Sequence, residues 1–187
     1  MRDTWGAARR KARLPQNGAV IAAVVLAAGA ATRFGSPKQR LLLPHVLAAL
    51  RAAPLDDIVV VAGAHALGEE MEGARVVACA EWERGPGASL RCGLAALPTA
   101  AEAAVVVLAD GPDLAPAAVE RVLAAWRGGA GALVAASYDG ERGHPLVLAR
   151  ELWDAVPDEG VRSLEPALVP CDDLGRPGDV DIPEDLP

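Results

Sequence analysis

The stretch IAAVVLAAGAATRFGSPK, residues 21–38, predicts the opening of an α/β fold, because an apolar strand runs directly into a glycine-containing loop. Residues 21–26 are continuously apolar and partly β-branched, as expected for a strand in a parallel sheet covered on both faces. Beyond Leu26 the loop holds two glycines and two cations, namely Gly29, Gly35, Arg33 and Lys38. In open parallel sheets, ligands bind outside the carboxyl ends of the strands, so this loop is a candidate binding site.

The rest of the chain alternates between strand and helix patterns. Apolar, β-branched runs predict strands over residues 57–62, 75–79, 103–108 and 132–137, with shorter ones at 145–148 and 168–169. Helical spacing is found at residues 45–52, 64–71, 89–96, 114–126 and 151–156. This alternation predicts a three-layer α/β fold around a mostly parallel sheet. We expect residues 19–187 to form a single domain, preceded by a disordered basic tail of residues 1–18.

Charge and hydropathy exclude several classes of protein. A net charge of -7 argues against a nucleic-acid binder, which needs a basic surface to neutralise phosphates. No apolar run reaches the roughly 18 residues that a membrane span requires. The basic start followed by an apolar run is similar to a secretory signal, but cleavage near Ala28 would destroy the loop described above. These features predict a cytoplasmic protein.

The three cysteines predict neither a zinc site nor a disulfide framework. Cys79, Cys92 and Cys171 lie far apart in the sequence and form no CxxC pair. This spacing fits a reducing cytoplasm. Cys92 lies in a helical pattern and is interpreted as a small buried hydrophobic residue rather than a reactive thiol.

The loop at residues 26–38 has the chemistry of a phosphate site. Gly29 and Gly35 let main-chain N–H groups face phosphate oxygens, and Arg33 and Lys38 add positive charge. The spacing matches neither GxxxxGK[ST] nor GxGxxG, so a P-loop and a dinucleotide fingerprint are absent. The alternative is an ordinary loop with two incidental cations.

Two acidic segments are candidate metal sites. In LADGPDL, residues 108–114, Asp110 follows a buried strand, and hard carboxylate oxygens suit Mg²⁺ together with triphosphate oxygens. The alternative is a helix N-cap, a role that suits Asp113 better than Asp110. In GDVDIPEDL, residues 178–186, Asp179 and Asp181 would share one face of a strand. That pair offers a second metal carboxylate or, alternatively, a solvated acidic terminus.

Together these segments resemble the MobA-like NTP transferase family of the molybdenum-cofactor nucleotidyltransferases. LAAGAATRFGSPK is similar to the family's LAAGxxxRxGxxK, and GPGASLRCGL, residues 85–94, is similar to G-x-x-x-S-L-x-x-G-L. GHPLVL, residues 143–148, resembles a segment of the cytidylyltransferase branch. Residues 108–114 match D-x-P loosely, and residues 179–186 resemble the ending D-x-D-T-P-E-D-L. The resemblance covers roughly residues 20–187.

The resemblance implies a Rossmann-like, GT-A-type nucleotidyltransferase fold and a role for each motif residue. The nucleotide would be lined by Leu26, Ala27, Ala28 and Gly29, and Ser89 would help read the base. Arg33 and Lys38 would bind phosphates, and Asp110 with Asp181 would hold Mg²⁺. His144 would contact the acceptor, although a turn residue before Pro145 is an equally good interpretation.

The implied reaction is Mg²⁺-dependent transfer of a nucleoside monophosphate, CMP from CTP, to a phosphorylated acceptor such as molybdopterin, with release of pyrophosphate. A molybdoenzyme is an implied partner. The chain departs from the family after LLLP, where Pro44 runs directly into His45 without a glycine-containing turn. Two alternatives stay open: an NAD(P)H-dependent reductase of the nicotine-blue type, and a non-catalytic nucleotide-binding or cofactor-chaperone protein.

Overall fold

The protein is represented by a computed structural model that describes residues 18–29, 39–67, 70–71 and 73–178. The predictions for the basic tail and for four site residues lie outside these ranges. Those four residues are Arg33, Lys38, Asp179 and Asp181.

A single mixed sheet organises the described part of the chain. Its strands are β1 (Val20–Ala27), β2 (Asp57–Ala62), β3 (Glu70–Met71), β4 (Ala74–Ala78), β5 (Ala101–Leu108), β6 (Leu133–Tyr138), β7 (Glu141–Ala149) and β8 (Ala167–Pro170). Their order is β3-β4-β2-β1-β5-β7-β6-β8. Neighbours β4, β2, β1 and β5 are parallel, whereas β3 and β7 run antiparallel to the strands beside them. The prediction of a mostly parallel α/β sheet is confirmed.

Helices pack on this sheet because its central strands are apolar on both faces. They are α1 (Gln39–Arg51), α2 (Pro86–Ala96) and α3 (Pro116–Arg127), with 3₁₀ segments elsewhere. A Cβ added to Gly93 of α2 would lie 2.5 Å from Val24 and 2.8 Å from Val61, so only glycine permits this close packing on β1 and β2. No helix in the described ranges is long and apolar enough to cross a membrane.

Helix α1 begins earlier than predicted. We expected a helix over residues 45–52, but it starts at Gln39 and contains Pro44. Proline lacks the N–H that would bond to the carbonyl four residues before it, which is why the sequence suggested a boundary there. Burial of Leu42, Leu43 and Leu47 outweighs the lost bond. Pro44 therefore lies inside helix α1, although the sequence suggested that the helix begins after it.

The helix expected over residues 64–71 is absent from the described part of that segment. Residues 64–67 are irregular, and Glu70–Met71 is a strand that pairs with β4. Conversely, β7 extends beyond the predicted residues 145–148, because it forms a hairpin with β6. The connecting residues Asp139 and Gly140 have φ values of 54° and 78°, as the tight hairpin turn requires.

Neither proposed N-cap is observed. The N-cap of α2 is Gly85 and that of α3 is Ala115, neither with a side-chain cap, and proline follows each of them. Proline has no N–H to satisfy and its φ suits the first helical position. The N-cap alternatives for Asp110 and Asp113 are therefore wrong.

The expectation of unpaired cysteines is also wrong. Cys79, just after β4, and Cys92, in α2, form a disulfide with their Cα atoms 5.8 Å apart. Sequence spacing did not reveal this pair, because packing of α2 beside β4 brings them together. Cys171 is buried and forms no disulfide. The cysteine pattern thus no longer supports the expected reducing compartment, and the cytoplasmic location stays a prediction.

Candidate functional site

The site is built at the carboxyl ends of two neighbouring parallel strands. Leu26 of β1 pairs with Leu108 of β5. The N–H of Ala109 donates to the carbonyl of Leu26 at 3.1 Å, which continues the pairing past the strand ends. The loop that begins at Ala28 and the turn that holds Asp110 therefore leave the same edge of the sheet. Parallel register thus brings together two segments more than 80 residues apart in the sequence.

A first cavity, the Gly29 pocket, lies between β1 and the start of α2. It has a volume of about 310 Å³. Its lining residues are Leu26, Ala28, Gly29, Trp82, Gly85, Pro86, Ser89 and Leu108. Four of the five residues predicted to contact the nucleotide are among them. Ala27 is not, because its side chain is buried in the core.

Close backbone approach shapes the Gly29 pocket. A Cβ added to Gly63 would lie 2.6 Å from the carbonyl oxygen of Ala28 and 2.8 Å from Trp82, so glycine is required there. The N–H of Ala64 donates to the carbonyl of Ala28 at 3.2 Å. These contacts hold Ala28 and the indole in place. The Cys79–Cys92 disulfide closes the segment that carries Trp82 and Ser89.

Two further cavities continue the site along the sheet edge. The His144 pocket, about 320 Å³, lies between β1, β5, α2 and residues 159–162. The Tyr138 pocket, about 380 Å³, lies between β5, the β6–β7 hairpin and residues 176–178. Both are lined by Leu108, Arg142, Gly143 and His144, and the His144 pocket also shares Leu26 and Pro86 with the Gly29 pocket. The three cavities are therefore neighbours along the sheet edge, and together they are called the groove below.

His144 is held as a neutral side chain inside this groove. Burial lowers its pKa from 6.5 to about 4, and the charges of Arg142 and Arg162 act in the same direction. Asp110 opposes this shift, which shows that its carboxylate and the imidazole act on each other across the strand end. The carbonyl of His144 accepts a hydrogen bond from the Tyr138 hydroxyl at 3.1 Å. His144 is thus suited to polar contact rather than to proton uptake near pH 7.

This low pKa predicts a loss of stability in acid. The unfolded chain takes up the proton first, so stability is lost as the pH falls from about 6.5 towards about 4. The contribution is at most about 3 kcal/mol. We expect His144→Gln to show a smaller drop in urea-unfolding free energy between pH 7 and pH 4.5 than the wild-type protein. His45→Gln, at an exposed position of α1, should keep the wild-type pH dependence, and equal acid sensitivity in all three proteins would contradict the prediction.

Arg142 and Arg162 place positive charge in the groove. Nη1 of Arg142 donates to the carbonyls of Val161 and Leu164, at 2.9 and 3.0 Å, which fixes the guanidinium on one side of the His144 pocket. Burial lowers the pKa of Arg142, and the neighbouring charge of Arg162 lowers it further. Arg162, an exposed residue of the 3₁₀ segment Gly160–Ser163, lines the same pocket.

The described residues offer one carboxylate that fits a substrate-borne Mg²⁺. No group of three or more His, Cys, Asp and Glu side chains within the described ranges could hold a metal ion by itself. Mg²⁺, however, commonly uses one or two carboxylates together with the phosphates of its substrate. Asp110, partly buried at the strand end, meets that requirement. The donor set therefore fits an ion that binds with a nucleotide.

Sequence reasoning missed several residues of the groove. Trp82, Tyr138, Arg142, Arg162 and Arg176 line it, and no motif singled them out. Arg142 lies two residues before His144, so the neighbouring motif carried a usable signal. Trp82 is one of only four tryptophans. For Arg162 and Arg176 we find no comparable signal, because loops from distant parts of the chain bring them to the groove.

Residues 23–165 match the family of MobA-like NTP transferase domains. The chain belongs to this family. The prediction of a nucleotidyltransferase fold and enzyme class is thereby confirmed. Leu26 of β1 and Leu108 of β5, which line the Gly29 pocket and the His144 pocket, both lie within the matched residues.

One curated protein and several solved structures are similar to this chain. The bifunctional protein GlmU of Corynebacterium aurimucosum is 35% identical over 133 residues, which is 62% of this chain and 27% of GlmU. The chain thus matches about a quarter of that relative's length. The crystal structure of Rv0371c from Mycobacterium tuberculosis H37Rv is 29% identical with a TM-score of 0.71, covering 90% of this chain and 96% of that one. A manganese complex of Rv0371C is 25% identical with a TM-score of 0.67, covering 91% and 94%.

Proposed function

We propose that residues 19–187 act as one catalytic domain that transfers a nucleoside monophosphate, CMP from CTP, to a phosphorylated acceptor such as molybdopterin, with Mg²⁺ as cofactor. The observation that supports this most is the row of three neighbouring cavities at the strand ends. The Gly29 pocket lies at one end of it, His144 and its arginines lie further along, and Asp110 follows β5 at the same edge. Such an arrangement has room for a donor and an acceptor side by side.

In this proposal the Gly29 pocket holds the nucleoside. Its walls are mainly apolar, with Leu26, Trp82 and Pro86 offering surface to a heterocycle. The backbone around Ala28 and the Ser89 side chain supply the polar groups that read the base. Arg33 and Lys38 bind the phosphates that extend from the pocket. Ala27 supports this wall from the core and contributes backbone alone.

The chemistry requires little covalent assistance from the protein. An oxygen of the acceptor's phosphate forms a bond to the α-phosphorus, and the bond to the bridging oxygen breaks with its electron pair leaving on pyrophosphate. Asp110, with Asp181, would hold Mg²⁺, which when bound supplies charge neutralisation for the phosphates. Lys38 stabilises charge on the departing pyrophosphate. His144, neutral near pH 7, positions the acceptor by a polar contact.

Relatives support the metal and the donor class without specifying the base. The family description, MobA-like NTP transferase domain, supports a nucleoside triphosphate as donor. The manganese complex of Rv0371C supports a divalent cation as cofactor. The GHPLVL segment at residues 143–148 supports the cytidylyltransferase branch.

Ligand-dependent thermal unfolding tests the proposal. We expect CTP to raise the melting temperature of the full-length protein only with Mg²⁺ present, because a ligand that binds the folded state stabilises it by mass action. GTP and ATP should give smaller shifts, and Lys38→Ala should weaken the CTP shift. A shift with NADPH alone would favour the reductase instead. A CTP shift without pyrophosphate release on addition of molybdopterin would favour a non-catalytic nucleotide-binding protein.

A further inference from the structure

The arginines in the described ranges differ in whether a carboxylate neutralises their charge. Ion pairs with carboxylates are formed by Arg75, Arg84, Arg91, Arg121 and Arg176. Within the described ranges, Arg142 and Arg162 form none, although the protein carries a net charge of -7. Arg142 donates only to backbone carbonyls, which satisfy hydrogen bonds but not its charge. The protein thus keeps two cations without counter-ions in one cavity.

The position of this pair makes the missing counter-ion informative. Both arginines line the His144 pocket, a cavity of about 320 Å³ that opens into the groove. Glu159 also lines it, but no oxygen of its carboxylate lies within 4.0 Å of either guanidinium. His144 is neutral and supplies no negative charge. A partly buried cation without a counter-ion costs free energy, and a bound anion would recover it.

We propose that Arg142 and Arg162 form an anion subsite, separate from the triphosphate loop, that binds a phosphate group of the acceptor. Two guanidinium groups suit a phosphate dianion, because each presents several N–H donors in a fixed plane. Arg142 is pre-positioned by its bonds to Val161 and Leu164, so little ordering remains at binding. Arg162, exposed and without an ion pair within the described ranges, lines the same cavity from the 3₁₀ segment Gly160–Ser163 and supplies the second guanidinium for the anion. The assignment of the anion to the acceptor rests on the proposed function.

Phosphate titrations of the full-length protein test this subsite. The nucleotide site is first saturated with Mg²⁺ and a non-hydrolysable CTP analogue, and inorganic phosphate or phenyl phosphate is then titrated calorimetrically. Loss of one charged hydrogen-bonding partner should weaken binding about tenfold in Arg162→Gln. Arg162→Glu should abolish binding, and it should raise the melting temperature in phosphate-free buffer because it gives Arg142 a counter-ion. Arg162 is exposed, so both variants should fold.

The matched control is Arg127→Gln, which removes one exposed positive charge at the end of α3, outside the three cavities. It should bind phosphate as the wild-type protein does. Equal binding in Arg162→Gln and wild type, or an equal loss in Arg127→Gln, overturns the subsite. Phosphate that displaces the CTP analogue also overturns it and leaves the proposed function standing. If no nucleotide binds but phosphate binding still depends on Arg162, the proposed function fails and the anion subsite stands.

Discussion

Asp110→Ala is expected to lower Mg²⁺-dependent pyrophosphate release by about a thousandfold, while the protein stays folded. Asp110 follows β5 directly after Ala109, whose N–H still donates to the carbonyl of Leu26, so the backbone at Asp110 leaves the sheet beside the end of β1. In the proposed function it is the described carboxylate that would hold the metal ion. Its removal should leave the triphosphate charge uncompensated during transfer.

Pyrophosphate release with CTP and acceptor, measured over a Mg²⁺ titration, checks this prediction. Asp113→Asn is the matched control, because it removes an exposed charge three residues away in the same loop. It should keep nearly full activity. If Asp110→Ala released pyrophosphate at the wild-type rate, Asp110 would have no part in the mechanism.

Gly87→Ala is expected to destabilise the protein by about 3 kcal/mol or more. A Cβ at this position would lie 1.7 Å from the carbonyl oxygen of Pro157 and 2.8 Å from the N–H nitrogen of Gly160. Both obstacles are backbone atoms, which cannot rotate away as a side chain can. The N–H of Gly87 also donates to the carbonyl of Asp158 at 2.8 Å, so the start of α2 and residues 157–160 are held together.

This substitution should also affect the site, because Glu159 and Gly160 line the His144 pocket. We expect weaker acceptor binding in whatever fraction of Gly87→Ala remains folded. Urea unfolding provides the free energy, with Gly128→Ala as control. Gly128 has φ -74° and its added Cβ would meet nothing closer than 3.3 Å, so the change should stay within about 0.5 kcal/mol. Similar unfolding free energies for both variants would contradict the close approach at Gly87.

The glycines of residues 85–94 show what a motif can reveal before a structure is known. Their pattern suggested the family, and the family is confirmed. The spacing did not reveal their physical role, which is packing. Gly85 and Gly87 lie against the backbone of residues 157–158, and Gly93 lies against Val24 and Val61. These partners come from other segments of the chain, so local pattern could not identify them.

Local errors in the sequence interpretation have a common cause. The start of α1 before Pro44, the strand at Glu70–Met71 and the length of β7 all depend on packing or pairing with distant segments. The disulfide between Cys79 and Cys92 depends on how α2 lies beside β4. The roles of Arg33, Lys38 and Asp181 stay predictions, because these residues lie outside the described ranges.

By itself, the sequence determined the class of fold, the succession of the main strands along the chain and the family. Continuous apolar strands can be satisfied only in a sheet covered on both faces, and such a pattern is local and readable. Only the tertiary structure decided that Leu26 and Leu108 end side by side and that three cavities lie next to one another at this edge. It also decided that Arg142 and Arg162 line one cavity without counter-ions among the described residues. Charge neutralisation and cavity shape depend on distances between segments far apart in the chain, and no local spacing records those distances.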